Sequence, residues 1–312
     1  MSKALPVHHS GTLPPQQLAD LFKDAFRGEL YGEHQDELAE TVQQVKGDLY
    51  NRDYIAAFDS QEKRAAYCCR WSPSRAVAYS SLFAHLAPVR NVLTCAGGTS
   101  RNVLCVGGGA GGELVAAANL FTATRDFDAR HRPDAPADAN AARLAIRIVD
   151  IADWSAVVDR VAAAVRSSWL FHLAPALDVA FAHTDILQPA ASLGLPSLDL
   201  LTLLFTTNEL FLENRAATVR LFQRLNAECR SGCLLLIVES AGSYSHITVG
   251  SKKFPVQFLI DTLLLGPRGR EAGGPWTLLS ESDALWYRGD PAVDYPVKLE
   301  NMRFFYRLYV KK

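Results

Sequence analysis

The sequence predicts an α/β fold: a doubly wound, mostly parallel sheet with an antiparallel C-terminal strand, preceded by an N-terminal helical extension. Three observations carry this. After residue 90, short apolar runs alternate with helix-compatible stretches, the texture of a sheet wound with crossover helices. The runs at 103–106, 198–205 and 233–239 are apolar on both faces, as strands covered on both sides must be. One run ends in a glycine cluster that opens a helix, the junction at which such sheets hold ligands. Composition permits the fold: 312 residues, 49% hydrophobic and 21% charged, can bury a real core. A net charge of −1 excludes a histone-like or polybasic chain but leaves a local basic face open.

Taken in order, residues 1–14 read as a disordered leader without the apolar region of a secretory signal. Residues 14–86 are helical in pattern. Leu38, Val42, Val45 and Leu49 recur at helical spacing and make one apolar face. Ser72-Pro73 reads as an N-cap followed by proline at the first helical position, opening a helix that carries Ala76, Tyr79, Leu82, Phe83 and Leu86. These helices form an extension over residues 1–90, and residues 91–312 form the ligand-binding domain. In that domain the strands are expected at 103–106, 144–149, 177–182, 198–205 and 233–239, with helices at 112–121, 154–168 and 215–229. The polar, Ala/Asp/Pro-rich stretch 122–143 reads as an inserted mobile loop. Residues 276–286 and 301–310, joined through Arg288-Gly289-Asp290-Pro291, predict a terminal antiparallel pair. Cys68, Cys69, Cys95, Cys105, Cys229 and Cys233 form no CxxC pair, and no histidine stands at zinc-ligand spacing from them. Buried free thiols in a reducing compartment follow, with no metal expected. No apolar run approaches the ~20 residues that span a bilayer, so a soluble intracellular chain without a membrane partner is expected; a monomer is expected as well.

The strongest local signal is Val103-Leu104-Cys105-Val106 running into Gly107-Gly108-Gly109-Ala110-Gly111-Gly112. Glycines let backbone approach a ligand and let the following helix pack close to the strand. Gly107, Gly109 and Gly112 satisfy GxGxxG, a spelling that serves NAD, FAD or S-adenosylmethionine (SAM). A ribose wants a carboxylate at the end of the second strand, and Asp150 closes LAIRIVD, followed by Ile151. It lies farther from the last glycine than the usual ~20 residues, and the insertion accounts for the excess. Asp126 and Asp128 stand at the usual distance but in no strand. After the third strand, Asp185-Ile186 suits an adenine, with the acid accepting from the exocyclic amine and the apolar side chain packing on the ring; a turn cap is the competing reading. The fourth strand delivers Thr206-Thr207-Asn208-Glu209-Leu210-Phe211 to the crevice, where a helix cap competes with a site.

In this order, LCVGGGAGGE, RIVDIADW, HTDIL and LLFTTNELF resemble the SAM-dependent methyltransferase superfamily. The chain is more narrowly similar to the fungal-type large-subunit ribosomal RNA uridine-N3 methyltransferases. That narrower likeness rests on Tyr67-Cys68-Cys69-Arg70-Trp71-Ser72-Pro73-Ser74-Arg75-Ala76, on TTNELF, and on Lys253-Phe254-Pro255 followed by Leu259-Ile260-Asp261. It spans roughly residues 20 to 310. The resemblance implies a Rossmann-like methyltransferase sheet, SAM as cofactor, ribosomal RNA or a preribosome as partner, and a nucleolar or nuclear location. Gly107, Gly108, Gly109, Gly111, Asp150, Ile151, Asp185, Ile186 and Thr206 are the expected cofactor residues.

Methyl transfer from a sulfonium needs an aligned nucleophile, so proximity and orientation are what the protein supplies. Pyrimidine C5 chemistry would want a cysteine near the fourth strand, and exocyclic-amine chemistry commonly uses an (N/D)PP(Y/F) loop; neither occurs. An imino nitrogen must lose a proton, which singles out Asn208 as an orienting group and Glu209 as base or structural anchor. For RNA contacts the candidates are Arg70, Arg75, Lys252 and Lys253. Arg64 and the loop residues Arg268 and Arg270 stand beside them. A small-molecule methyltransferase and a non-catalytic SAM-binding protein are the alternatives.

Overall fold

The computed structural model describes residues 4–32, 35–132, 142–242, 246–249, 252–267, 269 and 273–312. Helices α1 (Pro15–Ala25), α2 (Arg27–Tyr31), α3 (Gln35–Tyr50), α4 (Tyr54–Ala57), α5 (Gln61–His85) and α6 (Ala87–Leu93) come first. Then follow β1 (Arg101–Val106), α7 (Gly112–Ala123), α8 (Phe127–His131), β2 (Leu144–Asp150), α9 (Ser155–Val165), β3 (Leu177–His183) and β4 (Leu200–Leu204). The chain continues through α10 (Thr207–Glu213), α11 (Arg215–Glu228), β5 (Leu234–Ser240), the hairpin strands β6 (His246–Val249) and β7 (Lys252–Pro255), and α12 (Val256–Leu265). It ends on β8 (Trp276–Tyr287) and β9 (Met302–Lys311). The main sheet has seven strands in the order β3-β2-β1-β4-β5-β9-β8. Strands β1 to β5 are parallel and β9 is antiparallel to both its neighbours, so the doubly wound, mostly parallel sheet with an antiparallel C-terminal strand is what forms.

Each central strand feeds two cores. Val103 and Cys105 point to the face covered by α1, α5, α7 and α9, while Leu104 and Val106 point to the face covered by α10, α11 and α12. This alternation is why those runs are apolar throughout. The N-terminal helices share the first core with the sheet: Phe22, Tyr79 and Phe83 are buried with Leu144, Ile146 and Ile148. All six cysteines are buried free thiols. Among the described residues no helix is long and apolar enough to cross a membrane.

Three expectations are corrected. The leader is built in from residue 4: Leu5 is buried and donates its N–H to Trp286 O at 2.8 Å, and Ser81 and Tyr287 hydroxyls donate to Pro6 O and Val7 O. Ser72-Pro73 does not open a helix. α5 begins at Gln61, capped by Ser60, whose hydroxyl accepts from Lys63 N, and Pro73 lies inside it. Within the stretch 122–143, Phe127–His131 forms a short helix capped by Asp126, and Arg130 donates to Trp169 O; residues 133–141 lie outside the described residues.

Candidate active site

β1 pairs with β2 on one side and β4 on the other, so the chain leaves the sheet in opposite directions at their C-terminal ends and a crevice opens there. Its floor is the glycine loop. Gly107 takes φ +72°, and a Cβ there would run into the Thr206 hydroxyl, which donates to Val106 O at 3.0 Å. A Cβ on Gly108 would meet the Glu113 carboxyl, and one on Gly109 would enter the Trp154 indole. The loop is therefore bare because both of its sides are already occupied. Asp150 ties it to β2: Oδ2 accepts from Gly109 N at 3.1 Å and Oδ1 from Ala152 N at 3.1 Å. Burial pushes the Asp150 carboxyl up to about 6, against the pull of those N–H groups. Beside it Ile151 is 57% exposed, whereas Ile186 is buried in the second core. Asp185 closes its own turn, accepting from Leu187 N at 2.9 Å and from the Gln188 amide at 2.8 Å.

Helix α5 forms one wall. Ser72 Oγ donates to Ala110 O at 2.7 Å and the Cys68 thiol lies 3.4 Å from the same oxygen, so the tip of the glycine loop hangs on α5. Phe58, Tyr67, Trp71 and Trp154 stack alongside, with Tyr67–Trp71 centroids 4.9 Å apart and Phe58–Trp154 5.0 Å apart. One turn further, Arg75 stands with its guanidinium 5.4 Å from the centroids of both Tyr67 and Phe205.

The opposite wall starts at Phe205, which has φ +61°. A phenylalanine in the left-handed region is strained by roughly 1–3 kcal/mol, and here it swings Thr206–Glu209 out of β4 toward the crevice. Thr206 and Thr207 are buried. Asn208 is held by Glu239 at the end of β5: the backbone N–H donates to Oε1 at 2.9 Å and the side-chain amide to Oε2 at 2.8 Å. Glu209 makes no hydrogen bond to a described residue. Burial first, and the neighbouring Glu239 charge second, push the Glu209 carboxyl up to about 8. Burial likewise raises Glu239 to about 7 and Glu113 to about 8. Among the described residues, Glu113 Oε1 is buried without a hydrogen-bond partner.

Gly107, Gly108, Gly109, Gly111, Asp150, Thr206, Asn208 and Glu209 thus line one crevice or its floor. Arg75 faces into that crevice instead of lying on an outer basic face. Arg70 is engaged by the C-terminal segment, donating to Glu300 and to Lys298 O. Lys252 and Lys253 lie on β7, their side chains outside the description, and Arg268 and Arg270 lie outside the described residues. Sequence reading missed Glu113, Glu239 and Phe205. Glu113 directly follows the last glycine, and Glu239 is the polar end of an apolar strand, the position that had flagged Asp150. Phe205 carries no local signal, because nothing in its spelling announces a left-handed backbone.

The donor set fits SAM: a loop without room for side chains, a strand-end carboxylate for a ribose, and buried carboxyls that a positive charge would satisfy. A family model of SAM-dependent methyltransferases matches residues 22–310. The Saccharomyces cerevisiae (strain ATCC 204508 / S288c) protein named 25S rRNA (uridine(2843)-N(3))-methyltransferase is 52% identical over 322 aligned positions, covering 98% of this chain and 88% of that protein. Among solved structures, the N-methyltransferase NodS from Bradyrhizobium japonicum WM9 in complex with S-adenosyl-L-homocysteine aligns at TM-score 0.39 and 14% identity, over 87% of this chain and 98% of that one. An S-adenosylmethionine-dependent methyltransferase from Clostridium acetobutylicum ATCC 824 aligns at TM-score 0.40 and 11% identity, over 75% and 90%. Likenesses that distant do not bear on the chemistry. By the span of the family match and the identity to the yeast protein, the chain belongs to the SAM-dependent methyltransferases.

Proposed function

We propose that this chain methylates N3 of a uridine in the RNA of the large ribosomal subunit. The observation that carries the reading is the 52% identity, across 98% of the chain, to the yeast enzyme of that name. SAM, when bound, supplies an electrophilic methyl carbon on a sulfonium. The glycine loop seats it, Asp150 takes the ribose hydroxyls, and Ile151 offers the exposed apolar face for the adenine. On the acceptor side, Glu239 fixes Asn208 through two hydrogen bonds, one from its backbone N–H and one from its side-chain amide, and that side-chain amide orients the uracil edge. Glu209 accepts the N3 proton. Its carboxyl, raised to about 8 by burial and by Glu239, has a proton affinity matched to an imino group near neutral pH. A cationic cofactor nearby lowers it toward the ionised form that a base requires.

The uracil must leave any helix it occupies, because its Watson–Crick edge is otherwise paired. Lys252 and Lys253, on the β7 strand beyond β5, would then hold phosphates, and Arg70 would contribute once its C-terminal partners yield. The chain acts as a monomer on ribosomal RNA or a preribosome, in the nucleolus or nucleus. A small-molecule methyltransferase is favoured only by the net charge of −1. The test is mass spectrometry of nucleosides from large-subunit RNA incubated with enzyme and labelled SAM. Labelled N3-methyluridine is expected, and it should disappear with Asn208→Ala while SAM affinity persists. Label in a metabolite alone would favour the second reading.

A further inference from the structure

Arg75 carries five N–H donors and makes no hydrogen bond and no ion pair among the described residues. It is half-buried, its guanidinium lying between the Tyr67 and Phe205 rings, with Tyr79 and the Glu209 and Glu113 carboxyls around it. Neither carboxyl comes to ion-pair distance. Held between the two rings with its donors uncommitted, the guanidinium presents its fork to the crevice, where an acceptor on a ligand can engage it.

Position tells which acceptor. Arg75 reaches the crevice over the start of α7: a Cβ on Gly112 would lie 3.4 Å from Arg75 Cβ. Phe205 places it over the end of β4. Asp150, the ribose acid, stands at the end of β2, on the other side of β1. A ligand whose adenosine lies at β2 and whose body follows the glycine loop therefore ends its far, amino-acid terminus at Arg75. That terminus carries a carboxylate, the anion that a planar guanidinium fork grips through two parallel bonds. The Tyr67 and Phe205 rings flank the fork, each with its centroid 5.4 Å from the guanidinium carbon.

We infer that Arg75 is the binding residue for the α-carboxylate of SAM. It is thus neither an outer RNA contact nor a purely structural cation. The inference rests on the cofactor orientation proposed above and needs no RNA, so it can fail independently of the RNA reading.

The experiment is calorimetric titration of the full chain with SAM and with decarboxylated SAM, which keeps sulfonium and ammonium but lacks the carboxylate. Wild-type protein should prefer SAM by roughly ten- to a hundredfold, the worth of a charge-assisted pair. Arg75→Met should weaken SAM by that factor and leave the decarboxylated ligand within about twofold. Arg75→Lys, which keeps the charge without the fork, should retain part of the preference and serves if the methionine variant does not fold. Equal loss for both ligands would make the role structural and overturn the inference, as would a wild-type protein that does not discriminate. Unchanged SAM binding with weakened, less salt-dependent RNA binding would assign Arg75 to a phosphate and also overturn it.

Discussion

The glycine floor and the α5 wall, which meet at the Ala110 peptide, are held in different ways. The glycine loop is fixed by neighbours one strand away: Gly107 N donates to Val149 O at 2.8 Å, Gly109 N to Asp150, and the Thr206 hydroxyl caps β1. Helix α5 is held by the far end of the chain. Pro73 has no N–H and its ring crowds the carbonyl four residues back, so Cys69 O loses its helical donor. The Tyr295 hydroxyl supplies one at 2.9 Å. Ser74 Oγ accepts from Glu300 N at 2.9 Å, and Arg70 grips Glu300 and Lys298 O. The segment between β8 and β9 thus straps α5 onto the sheet. The floor follows from backbone geometry in a short stretch, and the wall exists only once residues 226 positions apart have met.

The largest expected effect comes from removing the strapped wall. Deleting residues 1–88 takes away Ser72, Cys68 and the N-terminal half of the first core, so the protein should aggregate and lose SAM binding; light scattering and calorimetry would show both. A soluble truncation with full SAM affinity would reduce α5 to an accessory. Gly109→Arg attacks the floor. Its side chain must displace Trp154, so SAM binding should become undetectable while the chain stays monodisperse.

Between the walls, Glu239→Gln should leave SAM affinity within about twofold and slow turnover by roughly ten- to a hundredfold, because an amide facing the Asn208 donors accepts only one of the two bonds. The same carboxyls set a pH dependence. Glu113, Glu209 and Glu239 are raised to about 8, 8 and 7 in the folded protein, above their unfolded values. The folded state therefore favours their neutral forms. That contribution is complete below the unfolded carboxylate value and is lost as pH rises through 7 to 8. The melting temperature of the free protein should fall between pH 6 and pH 9, the fall should be smaller in Glu239→Gln, and SAM should flatten it. A flat or rising profile without ligand would mean these carboxyls are better paired than the structure has them.

The same contrast decides what could be read beforehand. The strand–glycine–helix junction, the strand-end Asp150 and the doubly wound, mostly parallel sheet were legible because each is written within short stretches and repeats a general rule of open sheets. Asn208 was legible as a polar residue after an apolar strand, but its holder Glu239 was not, since nothing local pairs the ends of β4 and β5. Ser72-Pro73 was misread for the converse reason. Its local spelling does mark a helix start, and the donor that serves Cys69 O in the helix interior, Tyr295, lies far along the chain. Arg75 reads as surface charge until Phe205 is seen to turn and roof it.

The smallest effect tests that proline most directly. Tyr295→Phe removes only a hydroxyl and leaves the carbonyl of fully buried Cys69 without a donor, which should cost about 1–3 kcal/mol. Pro73→Ala returns an N–H to the helix at the position from which Cys69 O would ordinarily be served. If the tyrosine stands in for the missing amide, Tyr295→Phe should cost clearly less in the Pro73→Ala background, and the double-mutant cycle should close with a coupling above the ~0.5 kcal/mol scatter of independent sites. Denaturant unfolding of the four proteins measures it. Additive costs would mean that the strap holds α5 through Ser74 and Arg70 instead, and Ser74→Ala would then be the more damaging change.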